Sequence, residues 1–146
     1  MKIFTIGFTQ KNAEYFFNLI KSEKIKNMID IRLNNVSQLS GFAKRDDLEF
    51  FLKALCDTKY IHAPELAPTK EILNSYKKKE ITWDVYENRF LTLLKNRQIE
   101  KKFNLNLLED GCLLCSEHKP DNCHRSLVLN YLKQHTDLNL NIKHLI

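Results

Sequence analysis

The segment from Cys115 to Arg125, with the sequence CSEHKPDNCHR, concentrates reactive side chains in a short stretch. It holds two thiols, two carboxylates, two imidazoles and a guanidinium, and it lies between an apolar run and a helical pattern at Ser126–Lys133. Loops between a buried strand and a helix start collect functional residues in α/β proteins, because backbone donors there point at bound groups. Asp121, directly after Pro120, is predicted to be the helix N-cap, with Cys123 in the first turn.

The types of these side chains indicate nucleophilic and acid–base chemistry. Cys123 is predicted to be the nucleophile, or else a thiol at the helix start near the substrate, because the positive end of a helix dipole and Arg125 both favour the charged sulfur. Glu117 is predicted to be the general acid or base. His124 is a candidate base beside the thiol, but successive helix residues point about 100° apart, so a direct Cys123–His124 dyad is not favoured. Arg125 is predicted to hold an anion, with a buried ion pair as the alternative.

A second group of candidates follows the other predicted strands. Arg32 comes after an apolar run, two residues beyond Asp30, and its guanidinium suits either bidentate anion recognition or an ion pair that fixes the loop. Ser37 and Lys44 lie in the next loop and could contact the same ligand. Glu65 offers a second carboxylate, whose favoured role is to neutralise an arginine.

Zinc binding is the alternative for the cysteine-rich segment, and we reject it on strand geometry. Cys112, Cys115, Cys123 and His124 are four plausible ligands by type. Cys112 and Cys115, however, enclose two leucines in a predicted strand, and residues three apart in a strand point to opposite faces. We therefore predict no metal and no cofactor.

The hydrophobic pattern predicts an α/β fold, a single layered domain over residues 1–146 with a mainly parallel sheet of about four or five strands flanked by helices. A helix capped at Thr82 is expected to run to about Lys102, with a core-facing stripe of Trp83, Tyr86, Phe90 and Leu93. The predicted strands are 2–6, 28–31, 59–62, 112–115 and 141–145, and the other predicted helices are 12–24, 46–55 and the one after Asp121.

Composition sets limits on the environment and the partner. The chain has 146 residues and a formal net charge of +5, which mildly favours a phosphate-bearing ligand or a nucleic acid. No apolar stretch reaches the ~20 residues of a membrane span, so no membrane partner is expected. Without a membrane span or a signal-peptide pattern, a cytoplasmic location is expected. Four cysteines are too few for a disulfide scaffold, which predicts free thiols.

Several motifs occur together in an order that resembles the DUF488 family of bacterial and archaeal α/β proteins. They are Thr5–Thr9, Asp30–Arg32, Ser37 with Gly41–Lys44, Pro64–Leu66, and Leu114–Glu117 with Cys123–Arg125. The resemblance runs from the first strand to His144 and Leu145. It implies that one cleft is lined by Arg32, Ser37, Lys44, Glu65, Glu117, Cys123, His124 and Arg125.

These observations lead to one functional hypothesis and two alternatives. The first is an enzyme that acts on a nucleotide or nucleic-acid component in a cationic Cys/Glu/Arg pocket. The second is a non-catalytic module that binds a nucleotide or nucleic acid through the same cations. The third is a structural domain in which the motif only fixes a loop. The sequence does not specify the reaction, the base or the oligomeric state.

Overall fold

A computed structural model describes residues 1–35, 41–117 and 120–146 of the chain. Its centre is a five-stranded sheet in which every neighbouring pair is parallel and the strand order is β3-β2-β4-β1-β5. This confirms the predicted α/β class. The strands are β1 (Lys2–Gly7), β2 (Asn27–Asp30), β3 (Lys59–His62), β4 (Gly111–Cys115) and β5 (Asn141–Leu145).

Helices connect these strands, and polar side chains mark several of their starts. Asn12, Thr69 and Thr82 each accept a hydrogen bond from the backbone N–H three residues ahead. The helices are α1 (Ala13–Ser22), α2 (Arg45–Phe51, continued by a π-helical turn at Leu52–Cys56), α3 (Lys70–Lys77), α4 (Trp83–Arg97), α5 (Ile99–Lys102) and α6 (His124–His135).

The two faces of the sheet bury separate hydrophobic clusters, because side chains alternate along each strand. One cluster joins Leu113 and Cys115 of β4 to the buried residues of α4 and α6. The other joins Cys112 and Leu114 to α1 and α2. The predicted opposite orientation of Cys112 and Cys115 is therefore confirmed.

The prediction of one continuous helix from Thr82 to Lys102 is wrong, because Gln98 interrupts it. Gln98 has a left-handed backbone (φ 53°, ψ 48°), so α4 ends at Arg97 and α5 begins at Ile99. At both ends of α4, the buried residues differ from those that the stripe predicted. Tyr86, Phe90 and Leu94 are buried, whereas Trp83 is only half-buried. Helix α3, which was not predicted, packs against α4.

At the centre of the sheet, the connections that follow the neighbouring strands β1 and β4 pass to opposite faces. From β1 the chain passes to α1 on one face, and from the adjacent β4 it passes to α6 on the other. Such a divergence opens a crevice at the carboxyl ends of the two strands, where parallel α/β sheets bind ligands. The segment richest in reactive side chains begins at this crevice, directly after Cys115.

Candidate functional site

A cleft with two lobes lies at the carboxyl end of the sheet. The lobes have volumes of about 320 and 350 Å³, and both are lined by Leu73, Lys77, Glu117, Cys123 and His124. The smaller, which we name the polar lobe, adds Thr9, Arg32, Asn34 and Ser116. The larger, named the aromatic lobe, adds Tyr76, Ile81, Trp83 and Tyr86. The thiol, the imidazole and the carboxylate thus stand where the two lobes meet.

Cys123 is the N-cap of α6, so the prediction that Asp121 caps this helix is wrong. Asn122 has a left-handed backbone (φ 50°), Cys123 is extended (φ −132°, ψ 140°), and the first helical residue is His124. The left-handed residue turns the chain sharply and delays the helix by two positions beyond what the Pro-Asp pair suggested. Cys123 still stands at the positive end of a long helix, where a thiolate is stabilised.

A second thiol lies against Cys123 and changes its acidity. The Cys115 side chain hydrogen-bonds to Cys123, which lowers the pKa of Cys123 below its ordinary value of 9.0 and outweighs the opposing effect of burial. The pKa of Cys115 is raised, first by burial and then by the same hydrogen bond. Cys115 therefore keeps its proton and donates it toward the Cys123 sulfur. The negative charge stays on Cys123, which is 3% exposed and lines both lobes.

His124 also acts on this sulfur. Its side chain hydrogen-bonds to Cys123 and contributes to the lowered pKa of the thiol. Its Nε2 lies 2.7 Å from the carbonyl oxygen of Ile31 and donates to it, since a carbonyl can only accept. The prediction against a direct Cys123–His124 contact assumed that both residues are helical. It is wrong because Cys123 precedes the helix in an extended conformation.

Arg32 lies at the far side of the polar lobe in a buried ion pair. Its Nε and Nη2 each donate to Asp30 at 2.8 Å, and the Tyr60 hydroxyl donates to the same carboxylate at 2.6 Å. Burial and the Asp30 hydrogen bond raise the pKa of Tyr60, which keeps its proton on this carboxylate. The ion pair fixes the guanidinium and leaves the remaining nitrogen, Nη1, as a buried donor without a partner among the described residues.

Arg125 is hydrogen-bonded to the loop that follows β4, and it does not line either lobe. It is fully buried, and its Nη1 donates to the carbonyl oxygen of Glu117 at 3.0 Å and to the Cys115 sulfur at 3.6 Å. Thr9 fixes the same loop from β1, because its backbone N–H and its hydroxyl both donate to the carbonyl oxygen of Ser116. The loop that carries Glu117 is therefore fixed from two sides.

The other sequence candidates are placed as follows. The Glu117 side chain is exposed and lines both lobes. Glu65 is exposed in a short 3₁₀ turn, where its carbonyl oxygen accepts from Arg97 at 2.8 Å, and it does not line either lobe. Lys44 precedes α2 on the opposite side of the sheet from α4 and α6. Ser37 lies outside the described residues.

Sequence reasoning missed the residues that form the larger lobe. Tyr76 and Trp83 line it from α3 and α4, with ring centroids 5.6 Å apart. Trp83 was assigned to a core stripe, and Tyr76 was not singled out. The lysines that follow Tyr76 were the available signal that this segment borders the cleft. Lys77 lines both lobes, and Lys79 lines the aromatic lobe.

Metal-binding clusters and membrane-spanning helices are both absent from the described residues. Within residues 1–35, 41–117 and 120–146, no group of three or more His, Cys, Asp or Glu side chains could hold a metal ion. The prediction that the purified protein carries no stoichiometric zinc remains to be checked by elemental analysis. In the same residues, no helix is long and apolar enough to cross a membrane.

Comparisons with known proteins identify a family. The family model described as "Domain of unknown function DUF488" matches residues 12–132 of this chain. This range contains α1 through most of α6, and with them the residues where the two lobes meet. Neither the curated proteins nor the solved structures contain a match.

Proposed function

The chain belongs to the DUF488 family, and we propose that it is an enzyme that uses the Cys123 thiolate to attack a nucleotide or a nucleic-acid component. One observation carries this proposal. Cys123 lies at the start of α6, lines both lobes, and has a pKa lowered by hydrogen bonds with Cys115 and His124. A buried structural cysteine has the opposite property, because burial alone raises the pKa of a thiol. Cys112, which is wholly buried in β4, shows that ordinary behaviour, since burial raises its pKa.

The proposed reaction has two steps. In the first, Cys123 sulfur forms a bond to an electrophilic carbon of the substrate, and the leaving group departs with the bonding electrons and a proton from Glu117. In the second, Glu117 takes a proton from water, the resulting hydroxide attacks the same carbon, and the Cys123 thiolate leaves. Such double displacement is the ordinary use of an activated cysteine. Glu117 suits both transfers because it faces the thiol region of the cleft from an exposed position.

Cations around the cleft support a phosphate-bearing substrate. Nη1 of Arg32 has no partner among the described residues, and its guanidinium is fixed by Asp30. Lys77 lines both lobes. The whole chain has a formal net charge of +5, which raises the local concentration of anions. A fixed guanidinium and a mobile ammonium together suit a phosphate group. Four free cysteines fit a reducing compartment, so the cytoplasm is the proposed location.

A turnover screen tests the proposal directly. Nucleotides and modified or damaged DNA and RNA are incubated with the protein, the products are analysed, and covalent adducts are trapped by rapid acid quench and mass spectrometry. We expect turnover of at least one compound and an adduct on Cys123. We expect Cys123→Ser to reduce this turnover at least about a thousandfold. Cys56→Ser is the matched control, because Cys56 is half-buried beyond α2 and should leave the rate unchanged.

Two other outcomes would replace the proposal. Saturable binding without turnover or adduct, equal in wild type and Cys123→Ser, would assign a non-catalytic module that binds through the same cations. Absence of both binding and turnover, with a large melting loss for Arg125→Ala, would assign the motif a purely structural role.

A further inference from the structure

The ring cluster of the aromatic lobe has no part in the reaction proposed above, although this lobe is about half of the cleft. Its wall consists of three rings that contact one another. Trp83 and Tyr86 are stacked, with centroids 5.0 Å apart and planes 19° apart, and Tyr76 is inclined to both at 5.6 and 5.0 Å. Leu73 and Ile81 complete the apolar surface. The lobe is therefore lined by aromatic rings together with aliphatic side chains.

This aromatic cluster differs from an ordinary core cluster because one of its sides borders open space rather than other side chains. Along α4, Tyr86, Phe90 and Leu94 are buried and fill the space between the helix and the sheet. Tyr76 and Trp83 are only half-buried and border an open volume of about 350 Å³. Helix α3 has no fully buried residue, although it packs against α4. The rings thus line a space of the size usual for small-molecule sites, with one side of the cluster unfilled.

The position of the lobe relative to the thiol limits what could occupy it. Cys123, His124 and Glu117 line both lobes, so a group held against the ring cluster has its next atoms near the sulfur. Beyond the sulfur, the polar lobe ends at Arg32, whose Nη1 has no partner among the described residues. A ligand that fills the cleft is therefore flat and apolar at one end and anionic at the other, with its reactive bond between them.

We propose that the aromatic lobe binds the base of a nucleotide unit, whose phosphate lies in the polar lobe at Arg32. The choice of a nucleotide rests on the proposed function, and the inference adds which part of the nucleotide each lobe holds. Every nucleobase has a flat π-face that stacks on aromatic side chains. Lys77, which lines both lobes, favours a ligand that carries phosphate. A free nucleotide and a single nucleotide of an unpaired strand offer the same chemistry.

The chain contains its own reporter for this lobe, because Trp83 is the only tryptophan. Its fluorescence is followed during titration with nucleoside 5′-monophosphates, nucleosides, ribose 5-phosphate, inorganic phosphate and a short single-stranded oligonucleotide. We expect saturable quenching by the monophosphates, weaker binding of the nucleosides, and no saturable quenching by the two compounds that lack a base. Tighter binding of the oligonucleotide than of the monophosphates would identify a polymer as the source of the unit.

Variants separate stacking from other effects. Tyr76→Leu keeps the reporter and removes one ring, and we expect it to weaken monophosphate binding by about tenfold. Trp83→Phe, measured by calorimetry, should weaken it less, because a smaller ring remains. Tyr15→Leu is the matched control, since Tyr15 is 46% exposed on α1 at the other face of the sheet and should leave binding unchanged. Melting curves of each variant establish that it is folded.

The result that overturns the inference is distinct from the one that overturns the proposed function. Cys123→Ser should keep monophosphate binding within about twofold, because the sulfur is not part of the stack. If bases bind as described but no thiol adduct forms, the enzyme proposal fails and the base site stands. If calorimetry detects no binding of any base-containing compound, or if Tyr76→Leu and Tyr15→Leu have equal effects, the base site is refuted.

Discussion

At the residue scale, the acidity of Cys123 depends on a neighbour that the sequence does not point to. Cys115 is eight positions away, at the end of β4, and its thiol hydrogen-bonds to Cys123. Arg125 in turn donates to the Cys115 sulfur at 3.6 Å, which makes Cys115 a better donor. A guanidinium, a thiol and a thiolate thus form one hydrogen-bonded series. The motif predicted the reactive cysteine but not the series that sets its pKa.

Substitutions of Cys115 test this series. Cys115→Ala removes the donor, so we expect the pKa of Cys123 to rise toward 9.0 and the alkylation profile to move to higher pH. Cys115→Ser retains a hydroxyl donor and should keep most of the lowering. Cys112→Ala is the control for truncating a buried thiol of the same strand, since Cys112 faces the other cluster. Equal profiles for Cys115→Ala and Cys112→Ala would show that Cys115 does not set the pKa.

Arg125 gives a second prediction at this scale. Its guanidinium is fully buried and donates to the Glu117 carbonyl oxygen, so Arg125→Ala should leave an unsatisfied carbonyl and a cavity. We expect a loss of about 3 kcal/mol in the free energy of unfolding, measured by thermal or denaturant melts. Arg45→Ala, at a side chain that is 57% exposed, should change it by less than about 0.5 kcal/mol. If Arg125→Ala abolished ligand binding without lowering the melting temperature, Arg125 would be a direct ligand contact.

At the scale of elements, the loop after β4 depends on close packing against the end of β1. A Cβ atom on Gly7 would lie 1.5 Å from the Glu117 carbonyl oxygen and 2.8 Å from Nη1 of Arg125. These neighbours include backbone, which cannot rotate away as a flexible side chain could. Glycine is therefore required here for close approach rather than for an unusual backbone angle. The sequence showed a glycine at a strand end without showing what lies against it.

Gly7→Ala should therefore displace the loop that carries Glu117. We expect a lower melting temperature and loss of the Glu117-dependent step, with the backbone change visible in amide chemical shifts of Ser116 and Glu117. Gly41→Ala is the matched control, because a Cβ atom there meets nothing within 4 Å among the residues that the structure describes. Similar melting temperatures for the two variants would contradict the packing described here.

Element boundaries show where sequence patterns are sufficient and where they are not. The strands predicted at residues 59–62 and 141–145 are confirmed at both ends. The predicted helix over 82–102 divides because Gln98 adopts a left-handed conformation, which a non-glycine residue does not reveal. The start of α6 was misplaced for the same reason at Asn122. Left-handed polar residues are thus the main cause of error, and one of them sets the position of Cys123.

At the scale of the whole molecule, the strand order explains why distant motifs share one cleft. Segments after β1, β2 and β4 contribute Thr9, Arg32 and Glu117, and these three strands lie side by side in the sheet. The sequence allowed the prediction that parallel strands open on one edge, because that follows from the βα alternation alone. It did not predict that β4 lies between β1 and β2, since strand order depends on packing between remote elements. The aromatic lobe was missed for the same reason, as it forms only where α3 covers α4.

We infer that the folded protein holds Cys123 as a thiolate near neutral pH. The most direct test is the pH dependence of iodoacetamide alkylation in the wild-type protein, with each modified cysteine identified by mass spectrometry. Cys56 is an internal reference, because burial raises its pKa above 9.0. We expect Cys123 to react first, with a rate that reaches its plateau well below pH 9, while Cys56 reacts appreciably only at higher pH. A rate for Cys123 that rises only at pH 9 or above, or faster modification of Cys56 at neutral pH, would contradict the account.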